Sequence, residues 1–430
     1  MPSSTPPAAA EGVYRWYVLL LLTLVSLFSV ADRLVFSILL EDIRATFAFS
    51  DTELGLLGGF AFTVTYVLAG FPAARLADRS TRRTIVAGAI AFWSAMTALC
   101  GAAVGFWSLF LARTGVGVGE GCSGPASQSL IADYFRREEL ARAMGVLTVG
   151  ATMGTVTGLV AGGLLADAFG WRWAFVLMGA PGLVIGLLVL CTVREPPRGR
   201  YALPGAELRQ RPVRETLASL LGNRVFVGLA LGFAVQIMIG YAMAFWMPAV
   251  MIRQFGVPVR DVALTLGLAF LAGGIPGPLL GGVLTDLLVR RDERWRAWFP
   301  GLAGLLAIVP LALALRAEAT QPFLLLFALA YAMFVATQAP ILSGIQAAVG
   351  PGERGMAVAV ALFVNNLLGQ AVGLGLIGWL SDRLSPARGA EALGLALVGV
   401  SAVAAVVALG VFGWTAARMR AGGGLPGKAG

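Results

Sequence analysis

The sequence predicts an all-α membrane protein with twelve transmembrane helices in two pseudosymmetric six-helix bundles. Three observations carry this: the composition, apolar blocks alternating with arginine-rich returns, and a short element that recurs four times. Of 430 residues, 58% are hydrophobic and 13% charged, with a mean hydropathy of +0.82. No soluble core needs that much apolar surface, so the chain falls in the membrane class. Its 56 glycines suit helices that approach closely in lipid.

The apolar blocks run over 14–40, 53–77, 83–105, 106–134, 140–168, 172–194, 224–253, 261–289, 297–316, 321–348, 354–381 and 389–417. Each can cross roughly 30 Å of hydrocarbon. Residues 1–13 are rich in Pro and Ala and carry no basic n-region. They read as a disordered cytoplasmic tail and not as a signal peptide. Residues 14–194 and 224–417 make the N- and C-terminal bundles, 195–223 with its prolines and arginines a cytoplasmic linker, and 418–430 a second cytoplasmic tail.

The net charge of +9 reports topology and not nucleic-acid binding, because the arginines sit between apolar blocks. Arg75, Arg79, Arg82, Arg83, Arg136, Arg137, Arg198, Arg211, Arg290 and Arg291 fall in the even returns. Arg44, Arg172, Arg253, Arg260, Arg316, Arg383 and Arg388 make the sparser opposite set. The positive-inside bias places both termini in the cytoplasm; the expected location is a bacterial inner membrane.

The recurring element reads Leu76-Ala77-Asp78-Arg79, Gly163-Leu164-Leu165-Ala166-Asp167, Gly282-Val283-Leu284-Thr285-Asp286 and Gly378-Trp379-Leu380-Ser381-Asp382-Arg383. Each copy closes the second helix of a three-helix group, so the halves repeat as wholes and the quarters repeat with inverted orientation. Inverted units of this kind build alternating-access carriers. Asp78 faces Arg79, Arg82 and Arg83 within one short return, where it can accept hydrogen bonds and latch neighbouring helices as a cytoplasmic gate. Asp286 with Arg290 and Arg291 is the expected counterpart.

Gly150, Gly154, Gly158 and Gly162, at four-residue intervals, strip one face of the fifth span for close helix packing. Pro248, Pro276, Pro278 and Pro340 mark expected kinks in the second half. Cys100, Cys122 and Cys191 all lie within spans and are expected to be buried thiols without a metal pattern.

Four ionisable residues lie deep inside spans: Asp32 and Arg33 in the first, Arg113 and Glu120 in the fourth. Lipid exposure would cost several kcal/mol each, on the order of 3, so they must find partners inside the protein. Helical rise puts Asp32 about 12 Å and Arg113 about 10 Å from the external ends of their spans. Arg113 and Glu120, two turns apart, project from one face. The expected network is therefore Asp32, Arg113 and Glu120, with Arg33 joining it or turning to the external vestibule. Burial opposes ionisation of Glu120 and Arg113 favours it, which makes Glu120, with Asp32 as the alternative, the proton-coupling candidate. The second half offers uncharged polar candidates for a cavity: Gln236, Tyr241, Trp246, Tyr331, Gln338, Asn365, Asn366 and Gln370, beside Phe233, Met238, Met243, Phe245, Phe334 and Phe363. A cavity charged on one side and apolar on the other suits an amphiphile.

Over roughly Arg15 to Arg418 the sequence resembles the major facilitator superfamily. Leu76-Ala77-Asp78-Arg79-Ser80-Thr81-Arg82-Arg83 looks like its signature loop, with Ala74 and Thr81 where the family usually has Gly. More narrowly, Ala31-Asp32-Arg33, Phe92-Trp93-Ser94, Arg113-Thr114-Gly115-Val116-Gly117-Val118-Gly119-Glu120 and Ile131-Ala132-Asp133-Tyr134-Phe135 resemble spinster-type transporters. That resemblance implies the major facilitator fold, movement of lysolipids or sphingoid phosphates, and central roles for Arg113, Glu120, Asp32 and Arg33. It departs at Asn365-Asn366-Leu367-Leu368-Gly369-Gln370, where animal spinster proteins have a His and an Asp; this chain has no His. Bacterial sugar-acid importers also carry an Asp-Arg pair in the first span, so small organic anions are the competing substrate class. A receptor or scaffold without transport is the third reading.

No Ser-His-Asp, zinc-ligand, dinucleotide or Walker pattern occurs in a suitable setting, and Gly115, Gly117 and Gly119 lie inside a span with no preceding strand. The expectation is a nonenzymatic, proton-coupled secondary transporter, monomeric, with lipid bilayer, protons and an amphiphile as its partners and neither cofactor, metal nor nucleic acid.

Overall fold

A computed structural model describes residues 8–198, 200–201, 213–350 and 352–419; at 8–11, 71, 74, 78, 137 and 141 it describes the backbone alone. Residues 1–7 of the expected amino-terminal tail, 202–212 of the linker, 420–430 of the second tail and the Asp78 side chain lie outside the described residues.

All regular elements among the described residues are helical. In chain order they are α1 (Ala8–Ile38), α2 (Leu40–Phe47), α3 (Asp51–Gly55), a π-helical turn (Leu56–Phe60), α4 (Ala61–Arg79), α5 (Arg82–Gly101), α6 (Phe106–Tyr134), α7 (Arg137–Phe169), α8 (Trp171–Thr192), α9 (Val213–Gly222) and α10 (Arg224–Phe255). Then follow α11 (Val259–Gly274), α12 (Pro276–Val289), α13 (Trp295–Ala314), α14 (Thr320–Val335), α15 (Gln338–Ala347), α16 (Arg354–Val364), a π-helical segment (Asn365–Val372), α17 (Gly373–Arg388) and, after a 3₁₀ turn at Gly389–Glu391, α18 (Ala392–Ala416). Ten helical stretches among the described residues are long and apolar enough to cross a membrane. Large apolar side chains such as Leu187, Leu279, Val403 and Val406 are exposed on them, which lipid accommodates and water does not. The fold is all-α and multi-pass.

The chain forms two compact units. Unit 1 is Met1–Leu39 with Val64–Ala206; unit 2 is Leu40–Thr63 with Glu207–Gly430. Unit 2 thus takes in the stretch that joins the first two expected spans.

Unit 1 is assembled through glycine. Side chains at Gly150, Gly154, Gly158 and Gly162 of α7 would strike Thr23, Leu27, Ala31 and Val35 of α1. Gly179, Gly182 and Gly186 of α8 lie in the same way on Ser94, Ile90 and Ala87 of α5. Without Cβ atoms the backbones close to van der Waals contact, the main attraction available between helices in hydrocarbon.

In unit 2, Pro276 opens α12 after the break at Ile275, and Pro340 lies in the first turn of α15 after the break near Thr337. A proline at a helix start lacks an N–H that would have no partner there anyway. Pro248 sits inside α10, which continues through it. A core of Phe226, Leu229, Phe233, Ile341, Ala408 and Phe412 joins α10, α15 and α18.

The expectation of three buried thiols holds for Cys100 alone: Cys122 is half-buried and Cys191 exposed. Cys191 lies near the end of α8 beside Leu188 and Leu190, which also face outward.

The glycine stripe generates a paired prediction. Gly158→Val should lower stability by about 1–3 kcal/mol through overpacking against Ala31. Gly145→Val, on the same helix with open space around it, should leave stability unchanged. Thermal unfolding of the two variants side by side in detergent checks this.

Candidate functional site

The site begins with α1. With one face fixed on α7, its other residues address α5 and α6. On the α6 side, added side chains at Gly115 and Gly119 would strike Met96 and Trp93 of α5, and one at Gly121 would strike the backbone of Tyr66 on α4. The glycine run that ends in Glu120 therefore allows three helices to crowd around that carboxylate.

Within that space Arg33 donates to Glu120 Oε2 through Nε at 2.9 Å and Nη2 at 2.6 Å. Ser29, one turn earlier on α1, donates to the same oxygen at 2.7 Å. The Glu120 side chain is 0% exposed and that of Arg33 21%. Thr97 of α5 donates to Asp32 Oδ2 at 3.0 Å, and Asp32 and Arg113 are buried. The guanidinium of Arg113 lies 4.5 Å from the Phe36 ring centroid, and that of Arg33 lies 4.8 Å from the Tyr66 ring. Both are cation–π distances. Asp32 Oδ1 and Glu120 Oε1 are enclosed and accept no hydrogen bond among the described residues.

The four expected charges do assemble in one unit, but with a different pairing. Glu120 is held by Arg33 and not by Arg113. Seven residues along a helix place two side chains on one face with their backbones about 10.5 Å apart along the axis, a gap that only extended side chains would close. Arg33 instead comes from a neighbouring helix at the level of Glu120, and Phe36, further along α1, meets Arg113.

A second cluster sits at the end of α6. Arg82, 1% exposed, donates to Glu195 Oε1 at 2.7 Å, Ser129 Oγ at 3.0 Å, the Pro196 carbonyl at 3.0 Å, and Asp133. Glu195 also accepts from the Arg83 backbone N–H at 3.0 Å. Arg198 caps the end of α4 through the carbonyls of Ala77 and Ser80, both at 2.7 Å. Among the described residues the carboxylate partners of Arg82 are Asp133 and Glu195; its expected contact with Asp78 falls on a side chain outside them. Arg79 is exposed. In the second half, Asp286 and Arg290 are both exposed and make no ion pair among the described residues, so the expected counterpart cluster is not formed.

The uncharged polar candidates of unit 2 separate into three groups. Gln236 and Trp246 are fully enclosed; the amide of Gln236 fills the notch left by Gly304 on α13. Tyr241 donates to Asn366 Oδ1 at 3.0 Å, whereas Tyr331 packs in a ring cluster with Phe270, 4.6 Å between centroids. Asn365, Asn366 and Gln370 lie on the π-helical segment, with Asn365 and Gln370 buried.

One cluster escaped the sequence reading. Arg253 of α10 donates to Glu41 Oε1 at 2.6 Å and, as a fork, to both oxygens of Asp51 at 2.8 and 2.7 Å. Ser381 donates to Asp51 at 2.6 Å. Asp382 accepts from the backbone N–H groups of Asp51 and Thr52 at 2.9 and 2.8 Å and from the Thr52 hydroxyl at 2.6 Å. Burial pushes the Glu41 carboxyl above its usual range; Arg253 and Arg44 oppose this, and Asp51 adds to it. Ser50 and Glu53 form a capping box at the start of α3, which the Ser-Asp-Thr-Glu wording does signal. Nothing local signals that Arg253 reaches it.

The Major Facilitator Superfamily model matches residues 22–374. The chain belongs to the major facilitator superfamily. Among its relatives in that superfamily, an MFS-type efflux pump of Mycolicibacterium smegmatis is 35% identical over 389 residues, 90% of each chain. A probable galactarate/D-glucarate transporter of Bacillus subtilis is 24% identical over 330 residues, 71% of this chain and 72% of that one. The crystal structure of a bacterial homolog of the human lysosomal transporter spinster, inward-facing and unoccupied, superposes with a TM-score of 0.86 at 27% identity, covering 97% of this chain and 98% of that one. This major facilitator protein is thus a spinster-family homologue, as the motifs around Asp32 and Glu120 imply.

The Arg33–Glu120 pair is testable by a double-mutant cycle. Arg33→Leu leaves a buried carboxylate without its partner and should destabilise the protein by about 3–5 kcal/mol. Adding Glu120→Gln removes that charge and should restore most of the loss. Thermal unfolding of both single variants and the double variant measures the coupling.

Proposed function

We propose that this protein is a proton-coupled secondary active transporter that works by alternating access and moves a lysolipid or sphingoid-type amphiphile. The observation that carries the proposal is the enclosed Arg33–Glu120 pair beside Asp32, in a chain homologous to spinster transporters along nearly its whole length. Each carboxylate keeps an unused oxygen, and Arg33 is the partly exposed member of the group. An anionic head that recruits Arg33 would release Glu120 to take a proton; deprotonation would restore the pair. Substrate and proton then exchange through one guanidinium.

The reading has twelve spans with both termini cytoplasmic. To the ten apolar stretches it adds α6, whose polarity comes from Arg113 and Glu120, and it divides the stretch Arg354–Ala416, 63 residues long, at the 3₁₀ turn Gly389–Glu391. The Arg82–Asp133–Glu195 cluster, together with Asp78, Arg79 and Arg83 of the same return in the sequence, would then act as a cytoplasmic gate. Tyr241, Asn366 and the apolar side chains of unit 2 supply an uncharged surface fitted to an acyl chain.

The Bacillus sugar-acid relative favours a second reading, a carrier of small organic anions. Proteoliposome flux separates the two. The lysolipid reading expects saturable lysophospholipid flux that falls at least about tenfold in Arg33→Lys, which keeps the charge but loses the bidentate fork. Saturable hexonate flux without lysolipid transport would establish the alternative. For coupling, Glu120→Gln should fold and bind yet lose the dependence of flux on an imposed pH gradient; an unaltered dependence would exclude Glu120 and point to Asp32.

A further inference from the structure

The fourth copy of the repeated element has the partners that the third copy lacks. Asp286 is exposed without an ion pair among the described residues, whereas Asp382 caps the first two N–H groups of the helical run that begins at Asp51 and extends to Ala77. Arg253 adds a forked pair to Asp51 and a third bond to Glu41. Residues 40–63 belong to unit 2, yet their covalent neighbours on both sides, Leu39 and Val64, belong to unit 1. What holds this excursion on unit 2 therefore acts directly on α1 and α4, the helices that carry Arg33 and the Tyr66 ring it lies against.

We propose that Arg253 and Asp382 form a releasable latch for residues 40–63, and that its opening and closing is a step of the transport cycle. Its placement on the external side rests on the twelve-span reading above.

Three features make the contact separable. Its strongest bonds are ionic or from carboxylate to N–H, groups that water can satisfy once the surfaces part. Around them backbone meets backbone, with Gly55 on the carbonyl of Leu374, Gly59 on that of Gln370 and Gly378 on that of Asp51, while the Phe245 ring of α10 closes on Gly58. Finally, both partners are π-helical where they meet, at Leu56–Phe60 and Asn365–Val372, and π segments concentrate at functional positions. Arg253 and Asp382 are positioning residues in this scheme; neither needs to touch substrate.

The test uses the full chain in lipid nanodiscs. Hydrogen–deuterium exchange, normalised to intrinsic rates, is compared for wild type, Asp382→Asn and Arg253→Gln. Both variants should lose roughly tenfold or more of the protection at amides 51–63, while 94–101 on α5 and 154–162 on α7 keep theirs. Spin labels at Ala45→Cys, an exposed position on α2, and Arg388→Cys, with Cys122 and Cys191 changed to Ser, should gain a longer-distance population in the same variants. Unchanged protection and distances would mean that the glycine contacts alone hold the segment, and would overturn the proposal. Loss of protection throughout the chain would overturn it too, by making the cluster a general structural element. If a charge variant does not fold, Ser381→Ala, which removes one hydrogen bond and leaves every charge, should give the same local change at a smaller amplitude; no local change there overturns the proposal. Labelling of Ala45→Cys by an impermeant maleimide in intact cells reads the sidedness by itself, so a wrong topology is not mistaken for a missing latch.

Discussion

The enclosed carboxylate of Glu120 meets its counter-charge, Arg33, at bonding distance inside a low-dielectric slab, and much of unit 1 is arranged around that contact. Arg33 reaches Glu120 at 2.6 Å from an α1 whose other face is set on α7 through glycine, and onto an α6 that glycine sets against α5 and α4. Gly154 and Gly158 draw α7 onto one face of α1, and Gly119 and Gly121 bring α5 and α4 onto α6. The charge network and the glycine pattern are one device: side chains are removed where backbones must approach, so that a few remaining side chains can be charged.

Much of this was legible in the chain. Hydropathy and arginine spacing predict an all-helical multi-pass fold, the four-residue glycine stripe marks the face that meets α1, and the four charges inside spans mark the centre of unit 1. The partner of Glu120 was not legible. Spacing along a helix tells which face a residue occupies, but the height at which a neighbouring helix crosses is a tertiary quantity, and it selects Arg33 over Arg113. Gln236 fails for a related reason. A glutamine in an apolar span reads as cavity-facing until the notch left by Gly304, a residue far along the chain, takes it in.

The repeated element shows how far a motif carries. Asp286 and Asp382 stand in nearly the same wording, yet only Asp382 finds helix N–H groups to accept from. Arg82 likewise serves Asp133 and Glu195, carboxylates at the end of α6 and in the segment after α8. Such short elements fix where a side chain leaves its helix, and the surrounding packing decides what it meets.

The π-helical segment Asn365–Val372 lies where the resemblance to animal spinster proteins lapses. An i→i+5 pattern stores surplus chain in a helix, much as a dislocation stores an extra half-plane in a crystal. If that surplus moves by one position, each residue it passes turns by about 100° about the helix axis. The residues presented by this stretch are therefore set by where the dislocation rests as well as by the order of Asn365, Asn366 and Gln370. Insertions or deletions here act first as rotations, so alignment columns through this segment need not correspond to the same direction in space.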